Sequence, residues 1–260
     1  MALIKSLRAD KLRVSVFDSR ASMGQAAADA AAECLRALLA AQAWVNVIFA
    51  AAPSQNEMLD SLCAAPGIDW GRVRAFHMDE YIGLPEGSPQ AFSAFLREHI
   101  FDRLPFGEVH CLNPQAADPR SECRRYAELL ERYPVDLVCL GIGENGHIAF
   151  NDPWVADFAD PETVKIVPLD PICRQQQVND GCFARLEDVP RHALTLTIPA
   201  LARAAHLVCT VPAASKADAV EKTVRGGISA QVPATVMRRH PDAALFLDPD
   251  SAARLLEAQP

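Results

Sequence analysis

The chain has 260 residues, half of them hydrophobic and 22% charged, enough for one large α/β domain with a substantial core. A formal net charge of −8 excludes nucleic acid and anionic membrane as main partners, since both call for a basic face. A small phosphorylated molecule stays open, because it needs only a local basic pocket. The eight cysteines include no Cys-x-x-Cys pair and no ligand spacing for zinc, which predicts reduced thiols and no metal. No apolar run reaches the roughly 18 residues of a membrane span, and residues 1–8 are too weakly apolar for a signal peptide. The expectation is a cytoplasmic protein, and a homo-oligomer is compatible with the sequence.

Alternating β-branched residues predict a strand over 13–17, with Ser19 or Ser22 capping an Ala-rich helix that runs to about residue 41. A second strand over 44–50 ends in Ala51-Ala52-Pro53-Ser54-Gln55-Asn56, before a helix over 57–63. Such a strand–loop–helix unit turns helix N–H groups toward an anion. A third strand over 73–78 ends in Asp79-Glu80-Tyr81. Helices over 89–104 and 119–133 flank a short extended piece at 109–112. The unbroken apolar run 137–140 reads as a strand buried on both faces. Beyond it, 154–161 has no period, 164–169 is extended, and Asp170 caps a helix carrying Arg174 and Gln175, Gln176 and Gln177. Strands over 193–198 and 206–211 follow. Ser215 begins a helix with Lys216 near its start, and a short helix at 233–238, a strand at 244–247 and a helix at 249–257 complete the pattern. Alternation of strand and helix predicts an α/β fold, with a mostly parallel sheet covered on both faces. No linker or repeat divides residues 1–260, so one domain is expected, with 153–185 as a lid.

The carboxyl ends of parallel strands share one edge, where open α/β sheets hold their ligands. That edge would gather Ser54 and Gln55, Asp79 and Glu80, the loop 141–153, and Lys216. Gly141, Gly143 and Gly146 permit tight turns before His147, which lies between Asn145 and Asp152. A partly desolvated carboxylate such as Asp79 has a raised pKa and serves as a base; the plainer reading is that Asp79 or Glu80 caps a turn. His147 and Asp152 form a candidate acid–base unit in which the carboxylate fixes one imidazole tautomer; the plainer reading has Asp152 capping the turn before Pro153. Lys216 and Arg174 are candidate phosphate partners, against a solvated helix face for each. Most other histidines read as structural, although His77 shares a strand face with Asp79.

Two stretches carry a resemblance. Phe76-His77-Met78-Asp79-Glu80-Tyr81-Ile82-Gly83-Leu84, followed by Gly141-Ile142-Gly143-Glu144-Asn145-Gly146-His147-Ile148-Ala149-Phe150-Asn151-Asp152-Pro153, resembles the glucosamine-6-phosphate deaminase family. Lys216 in Ser-Lys-Ala-Asp-Ala-Val and the segment Pro233-Ala-Thr-Val-Met fit it too. Related 6-phosphogluconolactonases share the Gly-x-Gly-x-x-Gly-His core, but Asn151-Asp152-Pro153 favours the deaminase branch. The resemblance implies a Rossmann-like three-layer αβα sandwich and conversion of glucosamine 6-phosphate and water to fructose 6-phosphate and ammonia, without a cofactor. It implies that His147 opens the pyranose, Asp152 holds and tunes it, Asn145 positions it, and Asp79 moves a proton between C2 and C1, leaving Glu80 structural. Ser54, Gln55, Lys216 and Arg174 would bind the phosphate.

The chain departs from the family pattern in three places. Asn145 stands where some relatives carry Asp. Ala51-Ala52-Pro53-Ser54-Gln55 replaces a Gly-rich phosphate loop, and Pro53 removes a backbone donor. The family's phosphate arginine falls on Gly181, for which Arg174 or the run Gln175–Gln177 would compensate. No match to the effector residues of allosteric members occurs in 154–160, which predicts hyperbolic kinetics unaffected by N-acetylglucosamine 6-phosphate. Lactone hydrolysis and an inactive sugar-phosphate sensor are the alternative functions. The joint presence of Asp79, His147 and Asp152 argues against the sensor.

Overall fold

The strands that read as continuous apolar runs lie at the centre of the sheet. In the computed structural model, which describes residues 2–257, the strands are β1 (Leu3–Ala9), β2 (Leu12–Phe17), β3 (Val45–Phe49), β4 (Val73–His77), β5 (Asp79–Tyr81), β6 (Glu108–His110), β7 (Leu137–Leu140), β8 (Val164–Pro168), β9 (His192–Leu196), β10 (His206–Val211) and β11 (Ala243–Leu247). The helices are α1 (Arg20–Ala41), α2 (Asn56–Cys63), α3 (Phe92–Leu96), α4 (Pro119–Arg132), α5 (Pro171–Asn179), α6 (Ile198–Ala202), α7 (Ala217–Arg225) and α8 (Ala253–Leu256).

Eight strands form one sheet in the order β1-β2-β11-β10-β7-β3-β4-β6. All neighbours run parallel except the β1–β2 hairpin. Every residue of β3, β7 and β11 is buried, as a sheet covered on both faces requires. Alternate side chains feed two cores. Val47 and Phe49 pack with Met23 and Leu35 of α1 and Leu62 of α2, whereas Ile48 and Val138 pack with Tyr126 and Leu130 of α4 and Val220 of α7. Each large apolar side chain buried in this way contributes about 1.5–3 kcal/mol. α1 starts where expected, with Ser19 Oγ accepting the Ser22 N–H. It lies close to α2 at Gly24, where a Cβ would fall 2.4 Å from Cβ of Glu57. The fold is therefore the αβα arrangement expected from sequence.

Some elements differ from the sequence reading. β1 was not expected; it pairs with β2 through a turn at Asp10 (φ 51°) and depends on that partner, since Leu3 and Ile4 stay exposed. The helix expected over 89–104 is α3 followed by a wider π turn, Arg97–Phe101. The last helix begins only at Ala253. The strand expected to run through 78 stops at His77, and β5 joins β9 and β8 in a separate antiparallel sheet. That small sheet stands over the carboxyl edge of the large one, with the Leu196 N–H donating to the Met78 carbonyl. Segment 153–185 contains β8 and α5. Among the described residues no helix is long and apolar enough to cross a membrane.

Candidate active site

Strand order reverses between β3 and β7: the chain builds outward through β4 on one side and through β10 on the other. Loops leaving the carboxyl ends diverge there and leave a crevice. A cavity of about 70 Å³ occupies it, and its walls include Ser54, Gln55, Asp79, His147, Gln177 and Lys216. Six residues from four strand ends and from helix α5 thus line one cavity.

The loop after β7 folds on its glycines. The Gly143 N–H donates to the His147 carbonyl, and the Gly146 N–H to the Gly143 carbonyl. Gly146 adopts φ 86°, which a side chain disfavours, and a Cβ there would press on Val232. The His147 imidazole lies directly over Gly143. Its Nδ1 lies 2.8 Å from Asn145 Oδ1 and 3.1 Å from Asp152 Oδ1. The Asn145 amide nitrogen donates to Asp152 Oδ1 at 2.8 Å, so both atoms facing Nδ1 are acceptors. Nδ1 therefore carries the proton, and Nε2 is left for chemistry. Asn145 Oδ1 also accepts the His147 backbone N–H. Burial alone would raise the Asp152 carboxyl. The His147 hydrogen bond and charge, the Asn145 amide and the Asp170 N–H outweigh it and hold the group below the ordinary carboxylate range. Asn151 fixes the loop by donating to the carbonyls of Ile148 and Leu196, which ties it to the small sheet.

Asp79 and Glu80 have separate tasks. The Glu80 carboxylate accepts the backbone N–H groups of Tyr81, Phe92 and Ser93, and so joins β5 to the start of α3. Asp79 lines the cavity, and its carboxyl is pushed well above its ordinary pKa by burial, with the Glu80 charge adding to the effect. Residue His77 does not line the cavity. Its Nε2 accepts the Leu112 N–H, and burial pulls its pKa down to about 3.

The other end of the cavity is cationic. Lys216 sits on a 3₁₀ turn after β10, 5% exposed, and its Nζ has no partner among the described residues. Burial lowers its pKa, against the opposing influence of Asp180 and Glu144. The Gln55 amide donates to Ser54 Oγ and the Thr210 carbonyl, while its Oε1 has no partner among the described residues. Arg20 donates to the Pro53 carbonyl and fixes this loop from below.

Arg174 is placed elsewhere. Its guanidinium donates to the carbonyls of Leu186 and Val189, at 2.6 and 2.9 Å, and it does not line the cavity. The same helix instead sends Gln176 and Gln177 to the wall. Gln176 accepts the Glu144 N–H and so tethers α5 to the loop after β7. Gln175 is exposed and bonds Asn179. Cys173, which no motif in the chain singles out, lies on the buried face of α5 with Gln176 and Gln177, at spacings of three and four. It puts a potential ligand atom within 4.8 Å of those of His147 and Asp152.

An αβα domain with a buried carboxyl, an imidazole–carboxylate pair and a buried ammonium at its switch point has the groups that acid–base chemistry on a small anion requires. The family of glucosamine-6-phosphate isomerases and 6-phosphogluconolactonases matches residues 18–157. A glucosamine-6-phosphate deaminase of Bacillus cereus (strain G9842) is 39% identical over 191 residues, covering 74% of this chain and 71% of the relative. One from Bacillus anthracis (strain A0248) is 38% identical over the same length. Among solved structures, a monomeric glucosamine-6-phosphate deaminase superposes with a TM-score of 0.85 at 25% identity, covering 92% of this chain and 98% of that one. The 6-phosphogluconolactonase of Thermotoga maritima shares the fold, with a TM-score of 0.75 at 18% identity over 92% of this chain and all of that one. The chain belongs to the glucosamine-6-phosphate isomerase/6-phosphogluconolactonase family.

Proposed function

We propose that the protein is an amino-sugar-phosphate deaminase that converts glucosamine 6-phosphate and water to fructose 6-phosphate and ammonia. The observation that carries this reading is Asp79. It is a buried, high-pKa carboxylate facing the same small cavity as the His147–Asp152 pair. Lactone hydrolysis calls for an activated water and no proton transfer between carbons, so it leaves Asp79 without a task. An aldose–ketose isomerisation requires such a base beside C1 and C2.

In this reading, His147 Nε2 takes the proton of the anomeric hydroxyl and delivers it to the ring oxygen as the bond between C1 and that oxygen breaks, which opens the pyranose. Asp152 stabilises the imidazolium form, and Asn145 holds the ring at Nδ1. Asp79 takes the C2 proton, giving an enolamine, and returns it to C1. Water then adds at C2 and ammonia leaves. Every step is a proton transfer or an addition–elimination among these side chains and substrate. Lys216, the Ser54 hydroxyl and the Gln177 amide hold the phosphate, with Gln55 shaping the loop. The eight unpaired cysteines suit a reducing compartment, which supports a cytoplasmic reaction.

The test is to incubate the purified protein with glucosamine 6-phosphate and measure ammonium and fructose 6-phosphate together. Equal amounts of both are expected. Hydrolysis of 6-phosphogluconolactone without ammonium release would overturn the reading.

A further inference from the structure

Cys173 has no part in the chemistry above, yet it lies beside the two groups that open the sugar. Asp152 Oδ1 and His147 Nδ1 are 3.1 Å apart, and the Cys173 sulfur joins them within 4.8 Å. All three side chains are buried. Around a tetrahedral zinc, with bonds of about 2.0–2.3 Å, ligand atoms sit roughly 3.3–3.7 Å apart. The imidazole and carboxylate are thus already near that separation. Rotation about the Cys173 Cα–Cβ bond is the adjustment that brings in the sulfur.

We propose that His147, Asp152 and Cys173 form an inhibitory site for a soft divalent cation of the zinc type. The set supplies one thiolate, one carboxylate and one neutral imidazole, so its two negative charges balance a dication in a site with little water. Thiolate and imidazole select zinc or cadmium over magnesium or calcium, which require oxygen ligands in larger number. Besides Asp152, the carboxyl groups of Asp79 and Asp170 lie close enough to act on Cys173, and the Lys216 ammonium acts there with the opposite sign. The helix itself is set by the same carboxylate: the Asp170 N–H, at the start of α5, faces Asp152 Oδ2 at 3.4 Å. Of the three residues only His147 lines the cavity, so a fourth ligand, a water, would come from that side.

Binding is a ligand exchange without redox change. The thiol proton leaves to solvent as the metal–sulfur bond forms. The imidazole proton moves from Nδ1 to Nε2 as Nδ1 turns its lone pair to the metal. The Asn145 carbonyl then loses its Nδ1 partner, and the Asp152 charge goes to the metal. The imidazole can no longer cycle its proton at Nε2, so ring opening stops. Inhibition rests on the proposed deaminase reading, whereas metal binding does not.

Cobalt(II) is the probe for binding, added to metal-free protein, because thiolate ligation gives a charge-transfer band in the near ultraviolet. One equivalent is expected to produce the band in the wild type, and Cys173→Ser is expected to lose it. Zinc should raise the melting temperature of the wild type and leave Cys173→Ser unchanged. With glucosamine 6-phosphate as substrate, zinc inhibition should weaken in the variant by more than the roughly 10–100-fold typical of losing an outer hydrogen-bond partner. Without metal the variant should turn over as the wild type does; Cys173→Ala serves if the serine variant folds poorly. Equal bands, or equal inhibition, in wild type and variants would overturn the site. Absence of deaminase activity in metal-free wild type would instead overturn the functional reading, while leaving the cobalt band to decide the metal site.

Discussion

The imidazole of His147 rests on the Cα of Gly143. A Cβ added at position 143 would fall 2.1–2.4 Å from three atoms of the ring, Cε1, Nε2 and Nδ1. No real Cβ makes such contacts, so any side chain there displaces the ring and not merely its surroundings. Gly143→Ala should therefore fold and lose activity. A displacement near 1 Å at a reacting group costs on the order of 10²-fold in rate. Steady-state kinetics beside circular dichroism would check this. Turnover within a few-fold of wild type, in a folded variant, would show that the ring position is not used.

Replacing Asp79 by Asn should lower kcat by about 10²–10⁴ while leaving KM nearly unchanged, because a proton-transfer group is removed and the cavity keeps its shape. If more than about a tenth of activity survives, the role fails on that same scale. The pH dependence has a definite sign. Burial holds the Asp79 carboxyl well above 3.8, so kcat/KM should fall as pH drops through that raised value and the base is protonated. Stability moves the other way. The folded chain keeps this proton to higher pH than the unfolded chain, so stability declines as pH rises from 3.8 through the raised pKa. Asp79→Asn removes that penalty, and its melting temperature at pH 7 should exceed that of the wild type.

The strands β3, β7 and β11 were legible because burial on both faces leaves apolar residues at every position but Asn46 of β3, a pattern that needs no partner to be read. β1 and the small sheet were not, because their pairing is set by distant segments: Asp79 opposes Thr195, and Lys165 opposes Thr195 from the other side. His147, Asn145 and Asp152 could be grouped because one short loop carries all three. Cys173 could not, since α5 reaches the site only through tertiary docking, and for the same reason the run Gln175–Gln177 could be singled out but not the fact that Gln176 and Gln177 alone of the three line the cavity. Arg174 shows the opposite failure. Sequence reveals its charge but not that two backbone carbonyls already occupy it.

Lys216 is a buried ammonium with no partner among the described residues, and a bound phosphate would supply one. Lys216→Met should remove a charge-assisted hydrogen bond of about 1.5–3 kcal/mol. KM for the sugar phosphate should then rise by roughly 10–150-fold, with a smaller effect on kcat. Without ligand, the variant should be more stable than the wild type. Burial lowers the Lys216 pKa from 10.5, so the protonated folded state carries the full penalty at neutral pH and sheds it only as pH rises through that lowered value. Inorganic phosphate should raise the melting temperature of the wild type and not of the variant. An equal shift in both would place the anion elsewhere.

Arg174 separates a structural role from a phosphate-binding one. Its guanidinium spans from α5 to the carbonyls of Leu186 and Val189 and so fixes the segment between α5 and β9. Arg174→Met keeps much of the aliphatic stem and removes both hydrogen bonds. Loss of these two bonds to a charged donor should destabilise the protein by about 1–3 kcal/mol, measurable by urea denaturation. KM for glucosamine 6-phosphate should stay within about threefold of wild type, because no phosphate contact is lost. A KM increase as large as that of Lys216→Met, with unchanged stability, would mean that Arg174 leaves its carbonyls and turns to the substrate when it binds.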